Sequence, residues 1–112
     1  MFGSSAGALD GAIYYKTDSN YLAFYTNGTE HVRINQSGHL NPVSDATRDL
    51  GTSSLRWRNL YTTDLQLSNE NTGGNEVDGT EGNWTLQEGE SNIYMINRKT
   101  GKKYKMMLQE VN

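Results

Sequence analysis

The stretch AIYYKTDSNYLAFYTNGTEHVRI, residues 12–34, decides the fold class. Its two runs Ala12-Ile13-Tyr14-Tyr15-Lys16 and Tyr21-Leu22-Ala23-Phe24-Tyr25 have strand length and the aromatic and β-branched residues that pack on a pleated surface. Thr17-Asp18-Ser19-Asn20 between them is a turn by composition. Asn27-Gly28 is a tight hairpin turn, because both residues tolerate the positive φ that a two-residue connection demands. Beyond it, Glu30-His31-Val32-Arg33-Ile34 alternates polar and apolar, which predicts Val32 and Ile34 on one face of a third strand, closed by Gln36-Ser37-Gly38. The expected unit is a β-meander of about thirty residues with a turn every eight to ten.

Outward from this stretch the chain stays rich in turn formers. The 112 residues include 12 glycines, one proline and no cysteine, with 34% hydrophobic and 21% charged residues. That balance favours short strands over helices. So short a chain buries little of its own surface, and without cysteine neither a disulfide nor a thiolate metal site supplements its core. Oligomerisation is the remaining source of burial. Residues 1–11 are small and are expected to be a flexible segment. The start lacks a basic n-region and an unbroken apolar core, so no signal peptide is visible, and no stretch has the length of a membrane span. Membrane insertion is therefore not expected. A net charge of −3 argues against nucleic acid as a partner, since phosphate contacts need a clustered basic surface.

The middle, from Asp49-Leu50-Gly51-Thr52 through Leu55-Arg56-Trp57-Arg58-Asn59-Leu60-Tyr61, carries the one plausible helical turn, near 53–59, with Ser53 or Ser54 as its cap. Such a turn is too short to stand alone and must dock through Leu55, Trp57 and Leu60. Leu60 to Leu67 is expected to be extended. Residues 69–82 are polar and glycine-rich and are expected to be a solvated linker between a β domain at 12–68 and a second lobe at 83–112. That lobe holds three expected strands: Trp84 to Gln87, Ile93 to Asn97 and Tyr104 to Val111. Three strands in meander order need a partner to cover one face.

Tyr21-Leu22-Ala23-Phe24-Tyr25-Thr26-Asn27-Gly28 through Val32-Arg33-Ile34, followed by Leu50-Gly51, Arg56-Trp57 and Leu60-Tyr61, resembles the repeated pattern of bacteriophage tail-fibre proteins. The segment from Asn83-Trp84-Thr85-Leu86-Gln87-Glu88-Gly89-Glu90 to Val111 looks like a small module of fibre-like proteins in phages of marine bacteria. Together these stretches span most of 12–67 and 83–111, and the central unit is the more specific signal. The resemblance implies an all-β homotrimer, its chains intertwined or side by side, made in the host cytoplasm and extracellular in the mature virion. Many such fibres continue into a self-cleaving chaperone domain, so a chain ending at Asn112 implies unaided trimerisation or a mature product. Val32, Ile34, Leu55, Trp57, Leu60, Tyr61, Trp84, Ile93 and Met95 are the expected trimer-packing residues, with Tyr14, Tyr21 and Tyr94 also assigned to packing. Its expected partners are itself, other virion proteins and a host surface polysaccharide.

Catalytic chemistry is not legible. Neither His31 nor His39 stands in a nucleophile motif, no phosphate loop is present, and the acidic residues are scattered. No cofactor or metal is expected; the weak metal candidate is His39, which threefold symmetry can bring to an axis, and Glu76, Asp78 and Glu81 lack the ligand spacing of a calcium loop. Seven tyrosines and two tryptophans exceed the needs of so small a core. Tyr15 and Tyr25, beside other aromatics on alternating strands, are expected to face outward and stack on sugar rings. Lys99, Lys102 and Lys103 form a solvated hairpin tip in one chain, and three copies concentrate positive charge that can steer anionic glycan. The expected function is structural, in a tail fibre or tail tip that attaches to a host glycan. The rivals are a virion adaptor, collar or decoration protein, and a bacterial adhesin or carbohydrate-binding module.

Overall fold

The computed structural model describes residues 10–112, and they form two structural units, divided between Arg56 and Trp57. The first unit holds the strands β1 (Gly11–Lys16), β2 (Tyr21–Thr26), β3 (Thr29–Ile34) and β4 (Leu40–Pro42), antiparallel neighbours in chain order. The second holds β5 (Asp64–Ser68), β6 (Asn83–Glu88), β7 (Ile93–Asn97) and β8 (Lys103–Lys105), paired in the same way. The protein is all-β, two four-stranded antiparallel meanders with no helix among the described residues.

Local chemistry explains the turns of the first sheet. Asn27 and Gly28 have φ of 51° and 71°, the two positive values that a tight hairpin needs. Asn35 closes the β3–β4 connection from inside: its Oδ1 accepts the N–H groups of Ser37 and His39, and its own N–H donates to the His39 carbonyl. The polar side chain therefore does the work of a second strand's backbone. β4, three residues long, is held by pairing with β3, which places Leu40 and Pro42 on one face.

Register assigns the faces. In the first sheet Ile13 is opposite Phe24, Tyr15 opposite Leu22, Phe24 opposite Val32, and Ile34 opposite both Leu22 and Leu40. With Pro42 opposite Val32, these residues make one face almost wholly apolar. The other face carries Ala12, Tyr14, Lys16, Tyr21, Ala23, Tyr25, Glu30 and Arg33. A bulge keeps this separation. Phe24 pairs with Val32 but Tyr25 pairs with Glu30, so His31 is the extra residue on β3. The predicted plain alternation over 30–34 is thus broken at His31, while Val32 and Ile34 do share a face.

The second sheet repeats the division. Leu65, Leu86, Met95 and Tyr104 form one row across it, Leu67 faces Trp84 in the next, and Ile93 continues the same face at the β6–β7 end. Trp84 and Tyr104 rings lie 5.6 Å apart on it. The opposite face is polar and internally bonded. Thr85, fully buried, donates to Gln66 Oε1 at 2.6 Å and accepts from Arg98 Nε at 2.9 Å. Gln87 Nε2 donates to Asp64 Oδ2 beside them.

Several expectations are corrected here. The turn near 53–59 is not helical: Thr52 N–H donates to the Leu55 carbonyl and Thr52 Oγ1 accepts from Leu55 N–H, so these groups are satisfied within four residues and seed no helix. Residues 69–82 are not a linker between domains, because β5 on one side and β6 on the other are paired strands of one sheet. The boundaries at 12–68 and 83–112 move accordingly, and the residues from Trp57 onward belong with the second sheet. Leu60 to Thr63 precede β5 without pairing, and the last strand ends at Lys105 rather than Val111. Of the segment 1–11, residues 1–9 lie outside the described residues, and Gly11 already belongs to β1.

The 69–82 connection is a folded loop built by its own polar side chains. Asn69 Oδ1 accepts Gly82 N–H at 2.7 Å, and Asn75 Oδ1 accepts the N–H groups of Val77 and Asp78. Gly74, at φ 92°, passes so close to Gly79 that a Cβ there would meet the Gly79 carbonyl oxygen at 2.1 Å. Only glycine fits that crossing.

Candidate functional site

Burial locates the surface that matters. Among the described residues the buried apolar side chains are Ala12, Ala23 and Ile96, all on the faces that carry the polar residues. The apolar faces are left open to solvent, with Tyr15 54% and Leu40 65% exposed on the first and Leu67 48% exposed on the second. Monomeric proteins rarely leave contiguous patches of this kind. At the edge of the first apolar face a depression of about 210 Å³ is lined by Val32, Leu40, Pro42 and Leu50. At the edge of the second, one of about 220 Å³ is lined by Leu60, Leu65, Leu86 and Ile93. In each unit a leucine from the irregular segment borders the apolar face without covering it.

The residues expected to pack in a trimer fall into two groups. Val32 and Ile34 lie on the first apolar face, and Trp84, Ile93 and Met95 on the second, all half-buried by their own sheets. Leu55 at 77%, Trp57 at 68% and Tyr61 at 89% exposure, with Leu60, project from a segment with no strand pairing. These side chains remain largely exposed, and Leu60 borders the depression beside Leu65, Leu86 and Ile93.

The two tyrosines expected to contact glycan are not brought together. Tyr15 lies on the apolar face of the first sheet and Tyr25 on the opposite face. Both were expected to face outward: Tyr15, 54% exposed, lies with Ile13 and Leu22 on the open apolar face, and Tyr25 is half-buried. Tyr14 and Tyr21, read from sequence as packing residues, share the face of Tyr25. Lys99 Nζ donates to the Glu81 carbonyl at 2.9 Å and so braces the 69–82 loop, while Lys102 stands in the exposed turn and Lys103 on the short edge strand β8.

The acidic residues of the loop serve the loop. Hydrogen bonds from the Thr80 backbone N–H, the Thr80 hydroxyl and Asn75 hold the Asp78 carboxyl below its ordinary pKa. Glu81 is likewise lowered by the backbone N–H groups of Asn71 and Gly73, with Lys99 adding to the effect. Among the described residues no group of three His, Asp or Glu side chains is arranged to hold a metal ion. His39 is exposed, and its backbone completes the Asn35 turn.

Sequence reading missed the Glu30–Arg33 pair. Arg33 Nε lies 2.6 Å from Glu30 Oε2 and Nη2 lies 3.0 Å from Oε1, a two-pronged contact, and the guanidinium sits 4.0 Å from the Tyr21 ring centre. The only signal was the charge pair itself, three residues apart on a strand, where plain alternation puts the two on opposite faces. No protein-family model matches this chain, and neither a curated protein nor a solved structure does.

Proposed function

We propose that this chain is a structural segment of a homotrimeric fibre, a virion component of the bacteriophage tail-fibre or tail-tip kind, which contributes to attachment to a host surface glycan. One observation carries the reading: both sheets present an apolar face that their own unit leaves open. Such faces are stable in water only when another apolar surface covers them, and the gain is about 25 cal/mol for each Å² removed. Copies of the same chain supply an identical face for each unit. The exposed Leu55, Trp57, Leu60 and Tyr61 lie in the segment between the two sheets, so chains running side by side cover them in the same assembly. The sequence resemblance to fibre units selects three copies. The role is one of assembly and binding, without catalysis.

A second reading, a virion adaptor or collar that never touches the host, is favoured by the separation of Tyr15 from Tyr25 and by the engagement of Lys99 with its own loop. Native mass spectrometry tests the shared part of both readings, and three chains per particle is the expected result. Binding to whole host cells by the assembled protein separates them.

A further inference from the structure

We propose that a tyrosine-lined cup on the polar face of the first sheet is a saccharide site, and that it takes a pyranose ring of a surface polysaccharide. The inference rests on the attachment reading above and gives it a place and a chemistry.

The cup follows from register. On this face Tyr21 and Tyr25 lie two residues to either side of Ala23 on β2, and Tyr14 lies directly across from Ala23 on β1. Tyr14, Lys16, Tyr21 and Tyr25 line a depression of about 280 Å³. That is near the small end of ligand pockets, about 300 Å³, and suits a sugar ring better than a protein segment.

Its chemistry is amphipathic in the way a pyranose is. The ring faces offer apolar surface to sugar C–H groups, and the phenol tips offer donors and acceptors. The hydroxyls of Tyr14, Tyr21 and Tyr25 have no hydrogen-bond partner among the described residues, whereas that of Tyr15, on the other face, is bonded to Asn20. Lys16, 41% exposed and 3.8 Å from Asp18, adds N–H donors at the rim for ring hydroxyls or a carboxylate substituent. One of the three rings, that of Tyr21, is also held in place. Arg33 lies against Tyr21 and is fixed in turn by Glu30, so this ring loses little freedom on binding. Because the cup is opposite the apolar face, assembly through that face leaves it accessible, and several copies in one particle raise the avidity of a weak site.

The test is a glycan array of neutral hexose, N-acetylhexosamine and uronic-acid oligosaccharides, probed with the intact protein. Any hit is then titrated as free oligosaccharide, which reads affinity per chain whatever the oligomeric state. Tyr14→Ala and Tyr25→Ala should each weaken binding at least tenfold, and Tyr25→Phe should retain most of it. Replacing Lys99, Lys102 and Lys103 together with Gln should change it less than twofold. Sedimentation of each variant checks that the assembly persists; where an alanine variant loses it, Lys16→Met replaces that variant and should weaken binding at least threefold. The inference is overturned if no array sugar is bound by the unaltered protein. It is equally overturned if the tyrosine variants bind normally or the lysine triple variant alone loses binding.

Discussion

Glu30 and Arg33 are three residues apart on β3 yet share one face, joined at 2.6 and 3.0 Å, because the bulge at His31 removes one step from the alternation. The same bulge keeps Val32 and Ile34 with Phe24 and Leu22 on the apolar face. One irregular residue thus keeps charge and grease on opposite sides of the sheet.

Breaking that pair should be costly for its size. The Glu30 side chain is only 10% exposed, and its loss leaves the Arg33 guanidinium over Tyr21 without a counter-ion. Glu30→Ala should lower stability by about 1–3 kcal/mol, and Glu30→Gln by less, because an amide still accepts one hydrogen bond. Denaturant titration of the two variants gives the comparison.

The loop at 69–82 gives a second test. Gly74→Ala places a methyl against the Gly79 carbonyl at a backbone φ of 92°, so it should cost about 1–3 kcal/mol and open the loop to protease. Gly73→Ala, with φ 99° but open space around it, should cost less. A solvated linker would register neither change in limited proteolysis or thermal melting.

That loop also shows what sequence reading reaches and where it stops. Asn27-Gly28 was legible because its φ requirement is local. Asn69, Asn75 and Thr80 belong equally to a solvated linker and to a folded polar loop, and bonds between residues as distant as Asn69 and Gly82 make the difference. Ser53 and Ser54 carried a cap signal, but Thr52 closed the turn with Leu55 first. The faces of Tyr15 and Tyr25 depended on strand register across the Thr17–Asn20 turn, which composition does not supply. Hence the strand class was readable, but the tyrosine cup was not.

Acid should loosen the loop before the sheets. The folded pKa values of Asp78 and Glu81 are lowered, so the stability they add is fully present above the ordinary carboxylate range and is lost as pH falls through the lowered values. Amide protection in 69–82, taken relative to the intrinsic exchange rate at each pH, should therefore hold near neutrality and fall below about pH 4. Asp78→Asn should remove part of that dependence.

Trp57 reports on the covered state. Its indole is 68% exposed in the single chain, so Trp57→Ala has little within one chain to disturb. In the proposed assembly, burial of the ring would make the same change cost up to about 3–5 kcal/mol per chain. The indole emission should be blue-shifted in the intact particle and move to the red on dissociation, and Trp57→Ala should raise the concentration needed for assembly.

The most direct measurement is sedimentation equilibrium across a dilution series. The account predicts a single folded species at three times the 12.5 kDa chain mass, with loss of β structure whenever chains separate. A folded monomer at micromolar concentration, melting cooperatively with both apolar faces exposed, would contradict it.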